Sequence, residues 1–437
     1  MRARGELLSA PGCAAAVAVP APDASWRHPL PRLDAVAVRG LAGIVVARLA
    51  VNGGIRVVYP FLAVIARGVG VSFEVIAFMV ASRSLAGLVG PVLSRVTSAR
   101  RQRDAMVLGV VVVAAGCLLV AASAGVPASV RPLMVGAGFM ATGLARPLFE
   151  LPMQTWVSAN VPVAVRGRAL GLTELGWALS LAVTVPLAGL LIETAGWRSP
   201  FLLVAGLAVV GAVALAAGLR GEDAGGRREA GVVPPGTQAD GHARTRRVPT
   251  GVALCVGAAL AVAAGESVLI VYGRWLSADF GLSVAQIGVS TLVIVAAELC
   301  GEGLMVVVSD RLGLCRTLFS ALAVSLTAYA LIGLVGSRVV LAYVAIGMLF
   351  VAFEVTIVVL IAFASLTVVA GPERSRLLGG LMAAIACGNA AGAVVAPVAY
   401  AGGGIALAGG IAAAAAGLAT VVLWLGSRPT AAGARGR

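Results

Sequence analysis

Apolar runs long enough to cross a hydrocarbon core recur along this chain, and few folds are compatible with them. A membrane-spanning helix needs about 17–25 predominantly apolar residues. Such runs lie near 41–65, 74–94, 105–125, 131–157, 169–192 and 200–219. After a polar stretch, six more lie near 250–273, 285–308, 317–336, 339–367, 377–400 and 404–425. The fourth and tenth runs are long enough to extend out of the membrane. Hydrophobic residues make up 60% of the 437 and charged residues 12%, with a mean hydropathy of +1.00. Soluble domains carry about 45–50% apolar and 25% charged residues. This chain therefore lacks the polar groups to cover itself in water. In lipid, backbone polar groups are satisfied only within helices or closed barrels, and the run lengths select helices. The expected fold class is all-α: a polytopic membrane protein of twelve transmembrane helices.

The formal charge of +14 comes from 33 basic residues, all arginine. They sit in short segments between apolar runs, not along one amphipathic face, so nucleic acid is not the expected partner. With the N-terminus inside, the odd-numbered connections hold Arg67, Arg131, Arg198, Arg274 and Arg338, and the last holds none. The even-numbered ones hold Arg95, Arg100, Arg101 and Arg103, then Arg166 and Arg168, Arg311 and Arg316, and Arg374 and Arg376. The middle segment adds Arg220, Arg227, Arg228, Arg244, Arg246 and Arg247. Arginine-rich loops on one side are what the positive-inside rule requires, with both termini cytoplasmic. Arginine without lysine, beside much Ala, Gly and Val, points to a GC-rich bacterial genome. The expected location is the bacterial inner membrane.

Residues 1–36 begin MRAR and hold a short apolar run ending in proline. They are expected to form a disordered cytoplasmic tail, not a signal peptide. Residues 220–249, rich in Gly, Pro, Arg and acids, read as a cytoplasmic linker. It separates halves at 37–219 and 250–426, and 427–437 form a second tail. Cys13, Cys117, Cys255, Cys300, Cys315 and Cys387 are scattered and read as apolar fillers. His28 and His242 lie outside the apolar runs, so no metal site or histidine catalysis is expected in the membrane.

Fragments recur at matching places in the two halves. Val58-Tyr59 precedes Gly70-Val71-Ser72, and Val271-Tyr272 precedes Gly281-Leu282-Ser283. Phe149-Glu150 lies in the fourth run and Phe353-Glu354 in the tenth. Arg166-Gly-Arg168-Ala-Leu170-Gly171 opens the fifth, and Arg374-Ser-Arg376-Leu-Leu378-Gly379 the eleventh. The shared order predicts two six-helix pseudo-repeats, an architecture that places a solute site near the midplane between halves.

A charged side chain at mid-bilayer costs roughly 2.5–3.5 kcal/mol on insertion scales, so each one needs a reason. Arg48, Arg56, Arg83, Arg146, Glu150, Glu174, Glu266, Glu298, Glu302 and Glu354 fall within runs one, two, four, five, seven, eight and ten. Runs three, six, nine and twelve have none and are expected to face lipid. Arg48, Asn52, Arg56 and Tyr59, spaced 4, 4 and 3, share one stripe of a helix. Glu298 and Glu302 share a face, and Arg146 and Glu150 are placed to pair as a structural i,i+4 couple. Glu174, Glu298 and Glu302 are expected near the cytoplasmic end, where charges support a gate. Glu266 and Glu354 lie mid-run with no basic residue within a turn. A carboxylate in low dielectric favours its neutral form and can carry a proton. The alternative, a neutral acid making structural hydrogen bonds, stays open for both residues.

Ser309-Asp310-Arg311-Leu312-Gly313-Leu314-Cys315-Arg316 resembles the Asp-Arg-x-Gly-x-x-Arg loop of the major facilitator superfamily. The resemblance implies a cytoplasmic latch of Asp310, Arg311, Gly313 and Arg316, whose charges complement helix ends. The first-half copy keeps Gly90 and Arg95, but Ser94 stands where the acid belongs and Thr97 where glycine belongs. Gly196-Trp197-Arg198-Ser199-Pro200-Phe201 resembles the link before the sixth span of bacterial efflux permeases. Pro186 and Gly189 are similar to part of the family's antiporter motif, whose neighbouring glycines are replaced by Val185 and Leu190. The family's motif early in span four has no match.

The resemblance implies a secondary transporter working by alternating access, here expected to export a small organic compound against protons. Candidate cavity residues are Asn52, Arg56, Tyr59, Arg83, Glu266, Glu354 and Asn389. The proton gradient is the expected energy source, with no cofactor. The expected partners are the lipid bilayer, protons and a small-molecule substrate, and the expected state is a monomer. Uptake of a sugar or metabolite is the alternative within the class. A membrane-embedded enzyme and a transport-dead sensor are the alternatives outside it.

Overall fold

The computed structural model describes residues 35–89, 102–219, 250–367 and 372–428. The expected linker lies outside the described residues, as do nearly all of the two tails. Thirteen α-helices are described: α1 Ala35–Arg56, α2 Leu62–Val69, α3 Phe73–Leu85, α4 Gln102–Ala122, α5 Arg131–Asn160, α6 Val163–Ala195, α7 Ser199–Gly218, α8 Gly251–Phe280, α9 Val284–Ser290, α10 Leu292–Leu312, α11 Leu314–Leu334, α12 Val339–Thr367 and α13 Pro372–Gly426. There is no strand among the described residues.

Nine segments among these residues are long and apolar enough to cross a membrane. The last is 51 residues long and leaves helical geometry at Gly403 and Gly404, so α13 is two helices joined at a kink. Two apolar runs of the sequence are missing from the nine. α3 has only 13 residues before a 3-10 turn, and α5 carries Arg131, Arg146 and Glu150. The chain is an all-α, multi-pass membrane protein.

The first run differs from the continuous helix its pattern predicts. α1 stops at Arg56, a 3-10 turn covers Tyr59–Phe61, and α2 follows. Pro60 sits in that turn; it lacks an N–H and clashes with a preceding carbonyl, so it interrupts the ladder.

The repeated Gly-x-Ser fragments prove to be one helix connection built twice. Gly70 (φ 85°) ends α2 in the left-handed region, and the Ser72 side chain accepts the Val75 N–H to cap α3. Gly281 (φ 67°) ends α8 in the same way, and Ser283 forms a capping box with Gln286 on α9. Glycine enters that region without a Cβ penalty, and serine satisfies an orphan N–H of the next helix.

Small residues let backbones approach where helices pack, as is usual in lipid. A Cβ on Gly43 of α1 would stand 2.8 Å from the Ala214 carbonyl of α7. One on Gly392 of α13 would stand 2.5 Å from the Ala263 carbonyl of α8. The helices α4, α7 and α11, whose only charges lie in the first turn of α4 and α11, present Val111, Leu118, Leu202, Val209, Val213 and Leu334 outward, as helices against lipid should.

The bundle is shut at the end remote from the termini. There Glu193 of α6 accepts the Ala285 N–H of α9 at 2.8 Å. Gly189 lies against Val284 and Ala285, and the Pro60 backbone lies against Gly273 of α8. The Arg274 guanidinium sits 5.0 Å from the Phe73 ring and 5.3 Å from the Tyr400 ring, tying α3 to α13. Apart from Arg274–Tyr400, each contact joins a segment before residue 219 to a helix after 250. The contact with Phe73, which crosses the halves, is worth about 0.5–1 kcal/mol. Arg274→Gln is therefore expected to raise the opening of this end by up to about fivefold. Hydrogen–deuterium exchange of residues 70–76 and 398–404 checks this; unchanged exchange would show that the clamp carries no load.

Candidate functional site

The polar stripe on α1 meets charge from three other helices. Arg48 donates twice to Glu174 of α6, at 3.1 and 2.9 Å. Two turns on, Arg56 forms a two-pronged ion pair with Glu298 of α10. Both members of this second pair are buried, with 8% and 7% of their side chains exposed. The Arg56 guanidinium also lies 4.4 Å over the Trp177 ring, and the Arg146 guanidinium lies 4.9 Å from the same ring. Planar guanidiniums suit this work, because they bind carboxylates bidentately and stack on aromatic faces. Asn52 stands between the two arginines, fully buried, and neither atom of its amide has a hydrogen-bond partner.

Tyr59, set by the break after α1, lies beside Arg83 of α3 and Glu266 of α8. The Arg83 guanidinium is 5.3 Å from the Tyr59 ring, and its Nη1 donates to the Ile55 carbonyl at 3.0 Å. Glu266 is buried, and one of its carboxylate oxygens has no partner. The other repeated tyrosine, Tyr272, bonds Thr291 at 2.8 Å just ahead of α10.

Glu354 lies against α10 at Gly301, where a Cβ would come 2.9 Å from its own Cβ. It is thereby placed among the carboxylates of Glu298, Glu302 and Glu174. Neither Glu302 nor Glu354 has a salt-bridge partner among the described residues, and both are half-buried. Exposure rises toward the end that carries the termini. The Glu174 side chain is 50% exposed and that of Arg146 is 44% exposed.

The structure thus brings Asn52, Arg56, Tyr59, Arg83, Glu266 and Glu354 into one buried region. Asn389 is half-buried on α13, three residues before Gly392, which packs against Glu266. Arg146 and Glu150 do pair, at 3.0 Å. Glu298 does more than the gate support expected of it, because it is the counter-ion of Arg56. Trp177, which organises two guanidiniums, was not among the candidate residues. The available signal was its spacing of three from Glu174, which places it on the same face.

The latch is only partly visible. Gly90 and Arg95 lie outside the described residues. Asp310 and Arg311 fall in the last turn of α10, and Gly313 (φ 78°) turns the chain into α11. Arg311 and Arg316 are exposed.

A repeated architecture enclosing buried charge is shared with known membrane proteins, and the family model for the Major Facilitator Superfamily matches residues 44–250. Over that stretch the chain is similar to the major facilitator superfamily. Among its relatives is the uncharacterized MFS-type transporter YceJ of Bacillus subtilis (strain 168), 27% identical over 176 residues. That match covers 39% of this chain, and the chain spans only 42% of the length of YceJ. Solved structures share the fold over nearly the whole chain. A D-xylose–proton symporter aligns with a TM-score of 0.70 at 15% identity, covering 89% of this chain and 97% of that one. A bacterial homologue of the human lysosomal transporter Spinster, inward-facing and unoccupied, aligns at 0.64 and 13%, covering 90% and 95%.

Proposed function

We propose that this chain is a member of that superfamily and a secondary active transporter that exports a small organic solute in exchange for protons. In this reading twelve spans form two six-helix halves, 37–219 and 250–426, which rock about the buried charged region. The protein works as a monomer in the bacterial inner membrane with both termini cytoplasmic. The shut end is then the outer one, and the structure corresponds to an inward-facing state. The second-half latch, with Asp310, Arg311, Gly313 and Arg316, stabilises the opposite state.

The observation that carries this reading is the Arg56–Glu298 pair with unpaired carboxylates around it. It joins a helix of one half to a helix of the other within a bundle whose helices are mostly apolar. Charge so placed is costly in lipid and marks solute and proton pathways. A pair across the halves can form in one state and loosen in another, which is what alternating access requires. Glu266 and Glu354 are the proposed proton carriers, since neither is held in an ion pair among the described residues.

Proteoliposomes with an imposed pH gradient test the coupling. Glu354→Gln, which cannot exchange a proton, is expected to abolish gradient-driven flux while leaving downhill solute exchange. Gradient-driven flux equal to that of the parent would remove Glu354 from the proton path. The polarity of gradient that drives accumulation distinguishes export from uptake.

A further inference from the structure

The two seams that close the remote end are built differently. In one, α3 starts at Ser72 and carries its own carboxylate, Glu74, in its first turn. What crosses to it from the other half is the Arg274 guanidinium against the Phe73 ring. In the other seam, α9 starts after Ser283 and has no acid in its first turn. With α10 it makes one segment, Val284–Ser309, long and apolar enough to cross a membrane. The first N–H groups of such a helix have no partner within it, and its dipole leaves partial positive charge there. The Ser283 side chain takes the Gln286 N–H. The Ala285 N–H goes to Glu193, in the last turn of α6 in the other half, at 2.8 Å. The Val284 N–H and the Ser283 hydroxyl lie beside the same carboxylate. Gly189, one turn before Glu193, allows this approach: a Cβ there would stand 2.9 Å from the Val284 carbonyl.

From this arrangement we infer that Glu193 is a charge latch for the remote end, completing from one half the helix start of the other. The inference goes beyond the transport reading above and takes from it only that this end opens. The position of Glu193 on its own helix is the second observation behind it. A carboxylate in the last turn of a helix faces the negative end of that helix's dipole and is disfavoured there. Only the start of α9, laid against it, makes the placement favourable. When the halves part, Glu193 is left at the negative end of α6, and the Ala285 N–H loses its charged acceptor. Both changes oppose opening, and both depend on the charge. Ionised acceptors also make stronger hydrogen bonds than neutral ones. The α3 seam has no such dependence on the opposite half, because Glu74 is on the same helix as the N–H groups it serves.

The test uses E193Q, S283D and E193Q/S283D in the full-length protein in detergent. Glutamine keeps the shape and an acceptor oxygen but not the charge. Aspartate at 283 is a good helix cap; it gives α9 a negative charge of its own and repels Glu193. Opening is read by hydrogen–deuterium exchange of residues 70–76 and 398–404, on the opposite seam, where fraying of α9 alone does not register. E193Q and S283D are each expected to raise that exchange about two- to fivefold. With aspartate at 283, adding E193Q is expected to bring no further rise, because the charge it removes has become unfavourable. Unchanged exchange in E193Q overturns the inference. So does an equal rise on E193Q in both backgrounds, which marks a contact of shape and not of charge. Thermal melts matching the parent show that the rise is not a loss of fold; should E193Q melt early, S283D, which keeps α9 capped, carries the same test. No solute or gradient is present, so coupled transport is judged separately in proteoliposomes. If Gly273→Leu raises the same exchange and E193Q does not, the end opens and the latch is wrong. If neither does, the end does not open, and the alternating-access reading falls with the latch.

Discussion

Arg56→Gln is expected to destabilise the protein more than any other single substitution at the centre, by about 3–5 kcal/mol. The guanidinium it removes is the counter-ion of Glu298, and both side chains are more than nine-tenths buried. Without it the Glu298 carboxylate is left charged in a low-dielectric interior, or must take up a proton. The Trp177 face also loses one of its two cations. Removing both charges is a different experiment. R56Q/E298Q leaves no uncompensated ion, and such replacements are often neutral in stability. The expected order of thermal stability in detergent is therefore parent, then R56Q/E298Q close behind, then R56Q well below. Transport should fail in both variants if the pair switches between states. A double variant as unstable as R56Q would show that the side chains matter for their packing and hydrogen bonds, not for their charge.

The second large effect is expected at Gly273→Leu. The Pro60 backbone occupies the space that a Cβ at this position needs. Carbonyl and Cα atoms of a proline turn cannot move aside as the end of a flexible side chain can. Leucine there should hold the remote end apart, while the helices on either side keep their own packing. The expected result is a protein that folds but cannot close at that end. A cysteine placed at Ala285, which lies against Gly189 when this end is shut, should react with an impermeant thiol reagent about tenfold or more faster in the leucine background, because a two-state equilibrium shifts by that factor for each 1.4 kcal/mol. Unchanged labelling would mean that this backbone contact does not control closure. Gly273→Ala offers a graded control, since its single methyl meets the same atoms with less bulk beyond them.

How much of this could be read beforehand follows from the range of the interaction concerned. Fold class was legible because a run of twenty apolar residues has few alternatives to a helix in lipid. The Gly-x-Ser connections were legible as a repeat, and their caps are local: Gly70 and Ser72 are two residues apart, as are Gly281 and Ser283. Arg146–Glu150 was legible because one helical turn separates the partners. The α1 stripe was legible by the same period up to Arg56. It failed at Tyr59, where Pro60 breaks the helix and re-aims the tyrosine toward Arg83 and Glu266.

By itself the sequence determined that the chain is a helical membrane protein and where its buried charges lie along each helix. Both are short-range consequences of hydrophobicity and helix geometry. Only the tertiary structure decided which charges are spent on each other. Arg56 and Glu298 are 242 residues apart, and no period or propensity connects residues so distant. Their pairing is settled by how α1 and α10 pack, and so is the identity of the carboxylates left without a cation.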